Sequence, residues 1–249
     1  MLKTVFVLFL YGLVSSSIVL AFQVDVPKDT FNPAERSGRT RTVLITNKNQ
    51  DLIAVELAIL SRNIDLDGNE PEGGASSDFD VYPSQLLINP GEEAYVTLIW
   101  KGDMPKKELA YRIESKDIPF NDSSQVKMGL VKLLVGRRYL NAAYVTPPGA
   151  KPNIQLFSMV PSANGDQKEL VVTLENTGTA HKVVSNFAVN VTHRVEGGRE
   201  VVLSQPVVLT DPKFRQKVNI LPDGKRRFIM AWPENLPLAP LKGALINVE

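Results

Sequence analysis

The sequence holds no cysteine and only two histidines, His181 and His193. Without cysteine there are no disulfides, no thiolate nucleophile and no cysteine-held metal. The two histidines have no third ligand in clear register, so a zinc site lacks its minimum set and strand or surface histidines are the simpler reading. Neither charge sign dominates: 28 Lys and Arg face 27 Asp and Glu, which gives no argument for nucleic acid as a partner. No glycine-rich phosphate loop is present, and no serine sits in a G-x-S-x-G elbow. Nucleotide-driven chemistry and a hydrolase triad therefore have no anchor, and we expect no enzyme activity, no cofactor and no metal. Beyond the N-terminus, no segment has the ~20 apolar residues that span a bilayer.

The N-terminus carries Lys3, the apolar run "TVFVLFLYGLV" and the small residues "SSSIVLA". This is the pattern of a signal peptide, with Val19 and Ala21 suited to the −3 and −1 positions of a cleavage site. We place cleavage after Ala21, so residues 1–21 are the signal; a retained N-terminal anchor is the alternative. A secreted chain without disulfides must hold itself together by core packing. The remaining length of about 228 residues suffices for that, and allows two domains of about 100 residues each.

Short apolar or β-branched runs recur between Gly, Pro, Asn and Asp. They include "TRTVLITN", "IAVELAIL", "QLLIN", "AYVTLIW" and "AYRIESKDI", and beyond "TPPGAKP" the pattern resumes with "IQLFSMV", "ELVVTLEN" and "SNFAVNVTHRV". About seven such runs on each side of one Pro/Gly linker predict an all-β chain of tandem β-sandwiches. "IAVELAIL" could be a helical turn by propensity; its eight residues between turn signals favour a strand. The linker falls at 147–152, with domains over 22–146 and 153–249, and its prolines stiffen it.

The acidic loop "DLDGNEPEGGASSD", residues 65–78, is expected to be mobile or exposed. It imitates the opening of a calcium loop through Asn63, Asp65, Asp67 and Gly68. The twelfth position is Gly74 where Glu is needed, so an ordinary acidic turn is preferred. "DPKFR" and "ILPDGKRRF" read as solvated turns. Asn121 and Asn190 fit the short glycosylation pattern, which matters only in a eukaryotic secretory pathway.

One stretch resists the bland reading. In "SSQVKMGLVKLLVGRRYLNAAYVTPPG" one alternating set holds Val126, Met128, Leu130, Lys132 and Leu134. The other holds Lys127, Gly129, Val131, Leu133, Val135 and Arg137. A half-buried strand alternates apolar with polar, because successive side chains point to opposite faces. This one is apolar on both faces and needs a partner on each. Two cations follow it, Arg137 and Arg138, and a further isolated cation, Lys28, sits in "VDVPKDTF".

At these residues the chain resembles the periplasmic pilus and fimbrial assembly chaperones of the chaperone–usher pathway. "FQVDVPKDTFNP" resembles their first strand and "VLITNKNQDLIAVELAI" the next two. "VYPSQLLINPGEEAYVTLIWKGDMPKKELAYRIESKDIP" is the most specific match, and "RRYLNAAYVTP" resembles the close of the first domain. "LENTGTAHKVVSN", "ILPDGKRRF" and "PLKGAL" resemble weaker landmarks of the second domain. The resemblance implies two immunoglobulin-like β-sandwich domains set at an angle. It also implies a mechanism: pilus subunits lack the last strand of an immunoglobulin-like fold, and the chaperone lends its own, here about 125–135. Val131, Leu133 and Val135 are the expected groove fillers, with Met128 and Leu130 the competing set, since a one-residue slip swaps the faces. Two basic residues of the family bind the subunit's terminal carboxylate. Lys28 matches the first. The family's usual Lys of the last strand is missing, so Arg138 is the candidate for the second, Arg137 competes, and Arg112 in "YRI" is expected to be structural. The implied partners are pilus subunits and an outer-membrane usher, in the periplasm, with a self-capping dimer of the free chaperone plausible from an exposed apolar edge. The competing reading is a secreted two-domain β-sandwich with an adhesive or carbohydrate-binding role, which leaves the doubly apolar strand and the cations as coincidence.

Overall fold

The computed structural model describes residues 22–27, 30–118, 136–165, 167–194, 198–202, 206–209, 218–234, 236 and 241–248. Regular structure in these residues is β-strand apart from one turn of 3-10 helix at Ser37–Arg39. The first half contains β1 (Gln23–Asp25), β2 (Thr40–Thr46), β3 (Ile53–Ser61), β4 (Phe79–Tyr82), β5 (Gln85–Ile88), β6 (Glu93–Trp100), β7 (Leu109–Asp117) and β8 (Arg138–Val145). They form two four-stranded sheets, ordered β1-β2-β6-β4 and β5-β3-β7-β8. This is the division of an immunoglobulin sandwich, in which strands A, B, E and D face C, F and G.

Alternation explains why these runs become half-buried strands. In β6, "EAYVTLIW", Val96, Leu98 and Trp100 are buried while Tyr95 and Ile99 face outward. In β2 Val43 and Ile45 point inward, and in β3 Ile53, Val55, Leu57 and Ile59 do the same. "IAVELAIL" is thus a strand, because its inward face completes a core that a helical turn would leave open. Phe31, Phe79, Trp100 and Tyr111 close one end of this core through edge-on ring contacts near 5 Å.

Two segments serve both sheets. Residues 79–88 change sheet at the cis Tyr82–Pro83 bond, between β4 and β5. The N-terminal segment pairs antiparallel with β2 through β1, then makes a parallel bridge from Phe31 to Val145 of β8. Phe31 N donates to Tyr144 O and Thr146 N to Phe31 O, both at 2.8 Å.

The second half contains β9 (Ile154–Asn164), β10 (Gln167–Asn176), β11 (Lys182–Val184), β12 (Phe187–Arg194), β13 (Glu200–Val202), β14 (Val207–Leu209), β15 (Val218–Ile220), β16 (Lys225–Ala231) and β17 (Leu241–Val248). One sheet is ordered β16-β10-β9; β12 pairs with β13, β14 and β17; β11 pairs with β15. Leu170, Val172, Leu174, Val189, Val191 and Phe228 lie in a second core, separate from the first. Gly243 of β17 is needed for close approach: a Cβ there would lie 2.7 Å from Leu156 and 2.8 Å from Val189. The chain is therefore an all-β protein of two immunoglobulin-like domains.

Candidate functional site

Three regions bear on function: the start of β8, the cavity beside the N-terminal segment, and the contact between the domains. Lys28 and the expected donor-strand residues Met128, Leu130, Val131, Leu133 and Val135 lie outside the described residues.

The β7–β8 ladder runs from Leu109↔Val145 to Lys116↔Arg138, and Asp117 N extends it by donating to Arg137 O at 2.9 Å. Along β8, Tyr139, Ala143 and Val145 face the core, so Arg138, Leu140, Ala142 and Tyr144 share the outer face. Arg138 reaches Glu114 through Nε and Glu72 through Nη2, the latter at 2.6 Å. Both carboxylates hold its guanidinium charged and push its pKa further up. Arg137, one residue earlier, turns the other way. Its Nη1 lies 3.5 Å from Asn49 Oδ1, and its charge acts on Asp117, whose carboxyl burial pushes above the usual range. The two expected cations therefore sit in different surroundings on opposite faces, and one carboxylate cannot take both from this arrangement. Arg112 pairs with Glu70, which also accepts from Arg62 Nε and Nη2 at 3.1 and 2.7 Å. Burial works against the Glu70 carboxylate, yet the two arginines outweigh it and hold its pKa below the ordinary value.

Pro27 and Thr30, on either side of Lys28 and Asp29, line a cavity of about 200 Å³ together with Phe31, Arg41, Asn141 and Ala142. The Oδ1 of Asn141 is buried there and finds no hydrogen-bond partner among the described residues. Arg41 was not singled out by the sequence reading. Its Nη1 donates to Gly38 O at 3.2 Å and Thr40 O at 2.7 Å, its Nη2 donates to Thr30 O, and it lies 5.5 Å over the Phe31 ring. A signal for it existed: Arg41 shares its strand face with Val43 and Ile45, a parity otherwise reserved for the core.

Between the domains, Glu108 is the hub and is only 5% exposed. Its carboxylate accepts from His181 N at 3.0 Å, meets His181 Nδ1 at 2.5 Å and accepts from Thr146 Oγ1 at 2.8 Å. Glu108 N donates to Thr179 O at 2.9 Å. The His181 ring stacks on Tyr144 with centroids 4.0 Å apart, and the Tyr144 hydroxyl receives Arg62 Nη1 and Asn219 Nδ2, each at 2.6 Å. His181 is thus an interdomain residue rather than a simple surface histidine. Lys107 pairs with Asp223 at 2.5 Å alongside.

The loop expected to be mobile or exposed is exposed over most of its length and is pinned at its charged residues. Asp67 takes Arg227 in a two-pronged contact at 2.8 and 2.7 Å. Asp65 spends its oxygens on its own loop, accepting from Asp67 N, Asn69 N and Asn69 Nδ2. "ILPDGKRRF", expected to be a solvated turn, supplies the partners: Asp223 and Arg227 both meet the first domain.

No known family profile and no curated protein matches this sequence. Solved structures do match its fold. The class 5 fimbriae chaperone CfaA aligns with a TM-score of 0.51 at 16% identity, over 90% of this chain and 98% of that one. A chain of the CsuC–CsuE chaperone–tip adhesion subunit pre-assembly complex, from the archaic chaperone–usher Csu pili of Acinetobacter baumannii, aligns with a TM-score of 0.52 at 17% identity, over 92% and 96%. The E. coli chaperone DraB aligns with a TM-score of 0.52 at 16% identity, over 85% and 86%. At these identities the likeness establishes the fold: this chain has the two-domain architecture of the chaperone–usher fimbrial chaperones, in agreement with the resemblance read from its sequence.

Proposed function

We propose that this protein is a periplasmic chaperone that binds pilus subunits by donor-strand complementation and delivers them to an outer-membrane usher. In this reading residues 1–21 are a signal peptide, 22–146 the subunit-binding domain, 147–152 the linker and 153–249 the second domain. Residues 125–135 pair with the open edge of an incomplete immunoglobulin-like subunit. Val131, Leu133 and Val135 enter its groove, with Met128 and Leu130 as the competing set. Each large aliphatic side chain fully buried there contributes about 1.5–3 kcal/mol.

The observation that carries the reading is the junction at β8. A segment apolar on both faces runs directly into a strand that, among the described strands, is paired along its length only with β7 and lies at the edge of its sheet. Such a strand can extend its ladder with another chain. The fold shared with fimbrial chaperones, including one solved with a tip adhesion subunit, supports it.

Lys28 and Arg138 are proposed to anchor the subunit's terminal carboxylate, with Arg137 as the competitor. Glu72 is 72% exposed on its side chain, so Arg138 would exchange one solvated carboxylate for another at small cost. Free chaperone would hide its apolar strand in a self-capping dimer.

The test is co-purification from the periplasm with the secreted β-rich proteins encoded beside it. Wild type should bring down a small subunit in stoichiometric amount, and folded Lys28→Ala and Arg138→Ala should lose it. A wild type that retains no subunit, and instead binds a glycan or surface, would overturn the chaperone reading. Variants that keep the subunit would overturn the anchor assignment alone.

A further inference from the structure

We propose that residues 65–72 form a strap that fixes the orientation of the second domain on the first. The proposal concerns the free protein and stands on its interdomain geometry.

The strap is preformed. Asp65 N donates to Asn69 O at 3.0 Å and Gly68 N to Asp65 O at 3.1 Å, and the Asp65 carboxylate closes the same turn. It is rooted in the first domain at two carboxylates, Glu70 on Arg62 and Arg112, and Glu72 on Arg138. Its tip grips the second domain in three ways. Arg227 N donates to Leu66 O at 2.8 Å, so the strap adds a main-chain bond to β16 at the edge of its sheet. The Arg227 guanidinium meets the Asp67 carboxylate fork to fork, a geometry that fixes direction as well as distance. Arg226 lies against Gly68, where a Cβ would fall 1.7 Å from Nη1; Gly68 also has φ +90°, which favours glycine.

A single contact between two bodies permits pivoting about it. Here the Glu108–His181 and Lys107–Asp223 contacts, made from the residues just before β7, form one pole, and the strap, from the loop after β3, makes a second at Arg226 and Arg227. Together they resist hinge motion that either alone would allow. Glu70 and Glu72 carry the strap's attachment to β7 and β8, so the second domain is tied through it to the strand that follows residues 125–135.

The absence of cysteine allows clean spin labelling at Leu87→Cys on β5 and Val202→Cys on β13, both exposed. Pulsed electron-paramagnetic-resonance distances would be recorded on the full mature chain. The labelled parent should give one narrow distribution, and Asp67→Ala and Arg227→Ala should each broaden or shift it while circular dichroism stays native. Lys242→Ala, which breaks a pair within the second domain, should leave it unchanged. Unchanged distributions in both strap variants, or equal broadening in Lys242→Ala, would overturn the proposal.

Discussion

Replacing Glu108 by Ala tests the interdomain contact most sharply. The carboxylate is buried and takes three hydrogen bonds, two from His181 and one from Thr146. Hydrogen bonds to a charged group are worth ~1.5–3 kcal/mol each, and losing one partner of a buried pair costs ~3–5 kcal/mol. Water entering the vacated space recovers part of this, so we expect a loss of about 3 kcal/mol. Glu108→Gln keeps the shape but loses the charge and turns one accepting oxygen into an amide donor, which the rotatable Thr146 hydroxyl can accept, so it should cost about 1 kcal/mol. The two tryptophans allow each domain to be followed: Trp100 lies in the first core and Trp232 packs on the second. Urea unfolding of Trp100→Phe and Trp232→Phe backgrounds at pH 7 would show the loss in both domains, because Glu108 and His181 come from opposite sides. A change under about 0.5 kcal/mol in both, the scatter of an ordinary surface substitution, would refute the reasoning. The pH dependence has a definite sign. Burial raises the Glu108 carboxyl, but the hydrogen bonds from His181 and Thr146 outweigh it and hold it below its ordinary 4.5. Its stabilisation is therefore complete above that value and disappears as pH falls through the lowered folded value. The gap between wild type and Glu108→Ala should therefore narrow as pH falls below 4.5 and through the lowered folded value.

Leu98→Ala empties a fully buried position of the first core and should cost ~2–5 kcal/mol, read as a shift of the Trp100 urea midpoint. Gly68→Ala forces a side chain into positive φ against Arg226 and should cost about 1–2 kcal/mol by thermal unfolding. If the proposed strand donation holds, Leu133→Glu should abolish subunit co-purification without a matching loss of the protein's own stability, since a charge in an apolar groove costs far more than one in water.

The strands were legible because alternation is local. "EAYVTLIW" and "TRTVLIT" each carry their inward set within eight residues, and the turn residues around "IAVELAIL" decided strand over helix. The division into two rests instead on the Pro/Gly-rich stretch between two sets of such runs, and two separate cores lie on either side of it. The interdomain contacts were not legible, because Asp67 and Arg227 are brought together only by the docking of two finished domains. Each alone reads as a charge in a polar turn, so the sequence marks the acidic loop only as mobile or exposed and "ILPDGKRRF" as solvated. Arg41 was overlooked although its parity with Val43 and Ile45 marked it. Arg137 and Arg138 stand out in the sequence as adjacent cations, but adjacency along a strand sends side chains to opposite faces, and their different partners follow from that.

The central claim is strand donation by residues 125–135. Hydrogen–deuterium exchange of the protein in complex with a co-purified subunit, against the protein alone under conditions that keep it monomeric, tests it directly. The account predicts that amides of 125–135 become strongly protected on binding, in the alternating pattern of a strand edge, together with the subunit's open edge. A complex that forms while these amides exchange as fast as in the free protein, with protection appearing elsewhere, would contradict it.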